Sequence, residues 1–298
     1  MDRSCESLAR PAHGDMSKRR DIEDHTRSLG EISAIMSAMK NLALMEIQKL
    51  ARLLAAQDRV VTSMQEAGAD FLMFYPEALS HTEGGRPLYV VIGSERGFCG
   101  DFNEQLGAHV RERLQLVGDQ GPVLLSVGQK LTARIADDRY ATISVEGASV
   151  AEEVQSVLIQ VMDHIHELQR EEPSARPLTI TVVSHALDTD GAFSQTLRPF
   201  ELPLGKTAHF ADPPFLNLPP PVFLAELIDL YFYSFLHKIF YSALLAENHA
   251  RVSHLEGAIQ RLEKEISGLE LKRNVLRQEE ITEEIELLML SAERSQQP

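Results

Sequence analysis

The sequence predicts an α/β protein in which long N- and C-terminal helices pair as an antiparallel coiled coil and carry a central α/β domain with a mostly parallel sheet. Three observations support this. Apolar residues recur at three- and four-residue spacing from Leu29 to Phe71 and again from Val252 to Leu276. Between those stretches, short apolar runs of strand length alternate with amphipathic segments. Proline is missing from positions 20–75 and 222–297, as two uninterrupted helices require.

In the first helix the heptad stripe comprises Leu29, Ile32, Met36, Met39, Ala43, Leu50, Leu53, Val60, Met64, Ala67 and Phe71, with Glu46 and Gln57 in seam positions. A second stripe, Ile35, Leu42, Ile47, Leu54 and Val61, widens the buried face and predicts more than one neighbour. Pro76, Gly84, Gly85 and Pro87 end the pattern. Leu88–Ile92 and Val123–Val127 then read as strands, each followed by a helix, Phe102–Val117 and Gln129–Asp137. Tyr140–Val145 and Leu178–Ser184 read as two more strands around the amphipathic helix Val150–Arg170, and Phe193–Leu197 as an edge strand before Pro199. This alternation implies βαβ crossovers and a Rossmann-like arrangement. The segment 211–220, ADPPFLNLPP, is too rich in proline to be helical throughout and serves as a linker.

The last third follows a stricter heptad, Val252, Leu255, Ile259, Leu262, Ile266, Leu269 and Leu276, with Arg273 the one polar seam residue. Roughly 70 helical residues at about 1.5 Å each make a rod of about 100 Å, which must project from any ordinary domain. Two apolar stripes at the chain ends, each costly when exposed, are most simply satisfied by pairing head to tail. The expected divisions are a disordered extension over 1–17, a coiled-coil helix over 18–75 and a linker over 76–86. They continue with the α/β domain over 87–205, a proline-rich linker over 206–221 and the second coiled-coil helix over 222–298.

Composition narrows the function. The chain has 298 residues, 44% of them hydrophobic, enough for a packed structure. Its net charge of −15 argues against nucleic-acid binding, which needs clustered Lys and Arg, and favours protein partners. Two cysteines, Cys5 and Cys99, give no disulfide framework and fit a reducing compartment. The first twenty residues lack an apolar signal core, Asp2, Glu6 and Asp15 oppose a transit peptide, and Met16 is a second candidate start. The apolar stretch Val222–Ala246 is interrupted by Glu226, Asp229, His237 and Lys238, which argues against a membrane span.

The loop Gly93–Asn103, GSERGFCGDFN, follows a strand and opens a helix, where α/β folds often hold phosphate. It lacks the Lys-Ser or Lys-Thr pair of a P-loop and the dinucleotide glycine spacing, and Asp101 would oppose an anion. It is expected to be a tight turn with Asp101 or Asn103 capping the helix and Arg96, Gly97, Cys99 and Gly100 as structural loop residues. Cys99 is expected to be structural rather than reactive. His164 and His166 are two apart on a helix and cannot chelate together, and His185, His249 and His254 offer no better set. No metal, cofactor or catalytic constellation is expected. Ile281, Ile285 and Leu287–Leu290 leave an apolar surface at the far end of a projecting helix, which is expected to be enclosed by something else.

Three regions resemble the gamma subunit family of ATP synthases. Ser37-Ala38-Met39-Lys40 with Leu42 and Ala43 resembles the family's segment in the first shaft helix. Ser94–Gly100, SERGFCG, with Asn103 resembles the family's loop after the first strand. Glu247-Asn248, Ala250-Arg251, Asn274, Arg277-Gln278, Ile281-Thr282 and Glu284-Ile285 resemble the C-terminal signature in order and spacing. Departures occur at Asn41–Glu46 and at Val252–Leu255, which adds a divergent paralogue serving a variant ATPase to the readings.

The resemblance implies a non-catalytic central-stalk shaft that couples ion flow through a membrane rotor ring to ATP synthesis or hydrolysis. The implied partners are the alpha and beta subunits, the epsilon subunit and the ring of c subunits. The implied location is peripheral, on the cytoplasmic face of the inner membrane. Met39, Lys40, Arg277, Gln278, Thr282, Glu284, Ile285 and Leu288 are the implied partner contacts. Two readings from other classes stand beside it. A coiled-coil scaffold or tether would share the heptads but need neither signature loop nor signature helix, and an α/β enzyme with helical arms would bind a ligand in the central domain alone.

Overall fold

The computed structural model describes residues 12–78, 85–117, 121–135, 140–171, 178–187, 191–197 and 212–295. Cys5, Met16's side chain, Gly84, residues 1–11 of the expected extension and 198–211, with the first part of the expected linker, lie outside that description. The elements are helix α1 (Ala12–Phe74), strand β1 (Arg86–Ile92), helix α2 (Phe102–Val117), strand β2 (Val123–Val127) and helix α3 (Gln129–Ile135). They continue with strand β3 (Ala141–Val145), helix α4 (Val154–Glu171), strand β4 (Leu178–His185), strand β5 (Ala192–Thr196) and helix α5 (Pro220–Ser295). Helix α1 begins at Ala12, inside the segment expected to be an extension.

The described residues form two compact units, one of 1–41 with 255–298 and one of 42–254. In the second, the sheet has the order β3-β2-β1-β4-β5, parallel throughout except for the β4–β5 pair. The order runs outward from β1 to β3 and then reverses to β4. Right-handed crossovers therefore put α2 and α3 on one face and α4 on the other. Strand residues obey the two-residue period that this requires. Leu88, Val90 and Ile92 face a core with α4, α1 and α5, while Tyr89 and Val91 face α2 and α3.

The apolar segment of α5 packs on that first face. Leu224, Tyr231, Phe235, Leu236, Ile239, Phe240, Ala243, Leu244 and Leu245 are all buried there. At about 25 cal/mol per Å² of apolar surface, this packing explains a stretch hydrophobic enough to raise the membrane question. Among the described residues no helix is long and apolar enough to cross a membrane.

Helix α1 departs from the expected seam. Leu29, Ala43, Leu50 and Phe71 are buried, but Ile32 and Val60 are 43% and 40% exposed, and Val61 is 2% exposed. Ile47, Leu54 and Val61 therefore join the inner face beside Leu53 and Met64 of the expected stripe. Ile35 and Leu42, expected in the same second stripe, are each 61% exposed and point elsewhere. The α/β core fixes which side of this broad apolar face turns inward, and heptad counting alone cannot see that core. Both polar seam residues have specific partners. Gln57 Nε2 donates to the carbonyl of Ser234 at 2.9 Å. Glu46 Oε1 accepts from the backbone N–H of Ala151 at 2.6 Å, where Val150 supplies no side-chain cap to the turn that leads into α4. A carboxylate from α1 thus satisfies an orphan donor at the start of another helix.

Helix α5 keeps its expected seam. Leu255 and Ile259 are buried, and Leu262, Ile266, Leu269, Arg273 and Leu276 are half-buried.

Candidate functional site

The unit formed by 1–41 and 255–298 pairs the two helices antiparallel. Lys40 Nζ lies 3.8 Å from Glu256, and Arg19 Nε lies 3.4 Å from Glu280, so rising numbers on one helix meet falling numbers on the other. Met39 is half-buried and Lys40 is committed to Glu256, so of the sequence-expected contacts these two belong partly to the pairing itself. Arg277, Gln278, Thr282 and Glu284 are exposed, with the Thr282 hydroxyl donating to the Gln278 carbonyl at 2.8 Å. Every residue from Ile281 to Ala292 is exposed, including Ile285 at 51%, Leu287 at 62%, Leu288 at 68%, Met289 at 66% and Leu290 at 58%. Single exposed apolar residues are ordinary, but a run of this density on a helix is unusual for a surface that meets only water.

The second unit brings together two motifs that lie some 150 positions apart in the chain. The loop after β1 is built on close backbone approach. A Cβ at Gly93 would sit 2.5 Å from Leu131 Cβ, and one at Gly128 would sit 2.8 Å from the Ser94 carbonyl oxygen. The N–H of Ser94 donates to Asn103 Oδ1 at 3.0 Å, and Asn103 Nδ2 donates to Ser94 Oγ at 2.7 Å. The Glu95 carboxylate accepts from the N–H groups of Gln129 at 3.0 Å and Gly147 at 2.7 Å. Neither expected cap forms: Asn103 folds back onto Ser94, and the Asp101 carboxylate accepts from Gln105 Nε2 at 2.7 Å. The Ser94 N–H and the Glu95 carboxylate are thus already committed, and a carboxylate sits where a phosphate would need donors.

Against this loop lies Arg251 of α5, 7% exposed. Its Nε donates to the Gly97 carbonyl at 3.3 Å, Nη1 to Asn248 Oδ1 at 3.0 Å and Nη2 to Cys99 Sγ at 3.3 Å. It also forms an ion pair with Glu247, which is 3% exposed. Asn248 donates to the Leu244 carbonyl at 2.8 Å, which leaves its oxygen facing the guanidinium. Burial pushes the Glu247 carboxyl up to about 7 against the pull of Arg251, with the Glu95 charge adding to the rise. Burial, reinforced by Glu247, likewise pushes the Cys99 thiol up to about 11. Sγ therefore keeps its proton, faces the carbonyls of Gly97 at 3.5 Å and Arg96 at 3.6 Å, and is a poor nucleophile.

Two of the histidines singled out by the sequence have partners. His164 Nδ1 pairs with Glu167 at 3.2 Å, and His185 Nε2 bonds the Phe102 carbonyl at 3.0 Å while its ring stacks on Phe102. Among the described residues no three His, Cys, Asp or Glu side chains converge as a metal site. In the sequence Glu247 and Arg251 stand only as part of a family pattern, with no role attached. Their i, i+4 spacing in an apolar helix was the available signal.

The family model described as ATP synthase matches residues 18–293. The chain belongs to the ATP synthase gamma family. The gamma chain of Akkermansia muciniphila is 26% identical over 91% of this chain and 96% of its own length. That of Xylella fastidiosa strain M12 is 25% identical over 90% of this chain and 94% of its own length. Solved structures share the fold. A chain of the Euglena gracilis mitochondrial ATP synthase, in an assembly of OSCP, F1 and c-ring, superimposes with a TM-score of 0.58 at 18% identity, covering 94% of this chain and 95% of that one. A rotor chain of the same synthase gives 0.55, covering 89% and 99%. As a member of this family, the chain is a subunit of a membrane-associated ATPase complex.

Proposed function

We propose that this chain is the central-stalk shaft of a rotary ATP synthase and contributes no catalytic group of its own. The observation that carries this reading is a family match over residues 18–293 on a chain whose helix α5 ends in a bare apolar segment, 281–290. Such a surface fits the inside of a ring of alpha and beta subunits, with Met39, Lys40, Arg277, Gln278, Thr282, Glu284, Ile285 and Leu288 as contacts. The α/β domain would meet the epsilon subunit and the ring of c subunits, peripheral to the membrane on its cytoplasmic face. A single asymmetric shaft touches three catalytic sites differently at any instant. Its rotation shifts each site among states by differential contact energy, which converts ion flow into nucleotide binding and release without a catalytic residue on the shaft.

The test is affinity purification of the tagged chain from its native membranes, followed by reconstitution into vesicles. Recovery of a nucleotide-binding hexamer and a membrane ring is expected, and Arg277→Ala with Gln278→Ala is expected to lower ion transport per ATP hydrolysed while the complex still assembles. A chain recovered without such a hexamer would end the rotor reading. Unchanged coupling in the double variant would remove those two contacts from it.

A further inference from the structure

Helix α2 covers one face of the sheet, and its junction with the end of β4 holds two histidines among apolar residues. His185, the last residue of β4, is 7% exposed and stacks on the Phe102 ring with centroids 4.2 Å apart. Its Nε2 bonds the Phe102 carbonyl at 3.0 Å, and the backbone of Gly191, across the hairpin, also bonds the ring. His109, two turns along α2, has its Nε2 buried with no hydrogen-bond partner among the described residues. Burying an unpaired polar nitrogen costs free energy that an apolar residue there would not.

Burial holds both rings below their ordinary value of 6.5. At His109 the Arg113 and His185 charges add to this effect and Glu112 opposes it. At His185 the Phe102 and Gly191 backbone groups and the Asp101 charge oppose it. Tyr89 of β1, on the same face with Arg113 beside it, is kept protonated by burial.

We propose that His109 and His185 form an acid-released latch between α2 and the β4–β5 hairpin. Neutral rings hold it closed, and protonated rings leave the interior and free the hairpin end of β5. Two imidazolium groups beside Arg113 would gather three positive charges where water is largely excluded. Strand β5 is the yielding element because it is an edge strand, paired only with β4 among the described residues. Opening begins at the His185–Ala192 pair, while the far end stays anchored by Leu197, whose N–H donates to the Ile180 carbonyl at 2.8 Å. Both rings bind a proton more readily once open, so the closed hairpin loses stability as pH falls from 6.5 towards the lower folded values. The latch lies within the α/β domain and does not depend on the rotor reading.

Hydrogen exchange of the full-length chain, corrected for the intrinsic effect of pH, tests it. From about pH 7 to about pH 5.5 the amides of 192–194 are expected to lose about threefold or more in protection, while the Leu197 amide keeps its own. His185→Gln, which can still donate to the Phe102 carbonyl without taking a charge, is expected to remove most of that dependence, and His109→Gln part of it. If a variant fails to fold, NMR titration of the wild-type histidine rings decides, because two rings must titrate below 6.5 in step with the loss of protection. Protection that stays flat or rises on acidification would overturn the latch. So would an equal loss at Leu197, a dependence unchanged in His185→Gln, or rings that titrate without opening.

Discussion

Residues 247–251 and 281–290 belong to one helix and break the usual burial pattern in opposite directions. The first stretch hides a glutamate, an asparagine and an arginine from water, while the second shows water a row of leucines, isoleucines and a methionine. Charges belong outside and leucines inside when a helix serves only its own chain. The buried stretch has its partners within the chain, each at hydrogen-bonding distance, so its cost is offset internally. The apolar side chains of the exposed stretch stay exposed among the described residues, and its hydrogen bonds, such as Thr282 to the Gln278 carbonyl, run within the helix itself. The difference separates the part of α5 that builds the molecule from the part that the proposed function gives to partners.

The comparison can be broken most forcefully at Glu247. Glu247→Ala leaves the Arg251 charge buried without its counter-ion and is expected to destabilise the chain by about 3–5 kcal/mol in denaturant unfolding. A loss near zero would mean that the pair is solvated. Gly128→Ala should cost less, about 1–3 kcal/mol, because its φ of 107 disfavours a side chain and a Cβ would meet the Ser94 carbonyl oxygen at 2.8 Å. An unaltered midpoint would show that the loop relaxes freely.

Titration sharpens the same contrast. The Glu247 carboxyl, at about 7 in the folded chain and 4.5 as its ordinary value, binds a proton more readily folded than unfolded. Its contribution to stability is complete below its ordinary value and is lost as pH rises through the folded one. Unfolding free energy measured between those limits should therefore fall with rising pH in the wild type and fall less steeply in Glu247→Gln. The smallest effect on the isolated chain belongs to the exposed end. Changing Leu287, Leu288 and Leu290 to serine should move stability by no more than about 0.5 kcal/mol each, as surface substitutions do. The same triple variant should weaken assembly or coupling in the reconstituted complex, and normal coupling there would show that the apolar end is not a bearing.

Much of this was legible in the sequence because it is periodic. The strands at Val123–Val127 and Leu178–Ser184, the helix Phe102–Val117 and the seam from Leu255 to Leu276 follow from spacing and from where proline is missing, since these depend on neighbours a few residues away. The α1 seam was only half legible. A helix with apolar residues on most of its circumference does not say which columns turn inward, and Val61 instead of Val60 was chosen by the sheet face and by α5. Asn103 and Asp101 look like caps on local grounds, yet Asn103 bonds back to Ser94 and Asp101 accepts from Gln105 one turn on.

The sequence by itself determined that this chain has two long amphipathic helices, a βαβ core between them and an apolar end in need of cover, because each rests on short-range periodicity. Only the tertiary structure decided that Glu46 from α1 supplies the missing cap on the turn into α4, and that Arg251 reaches across to the loop at Gly97 and Cys99. Those joints bring together groups more than a hundred residues apart. What fixes them is the satisfaction of buried charges and N–H groups, which no local pattern records.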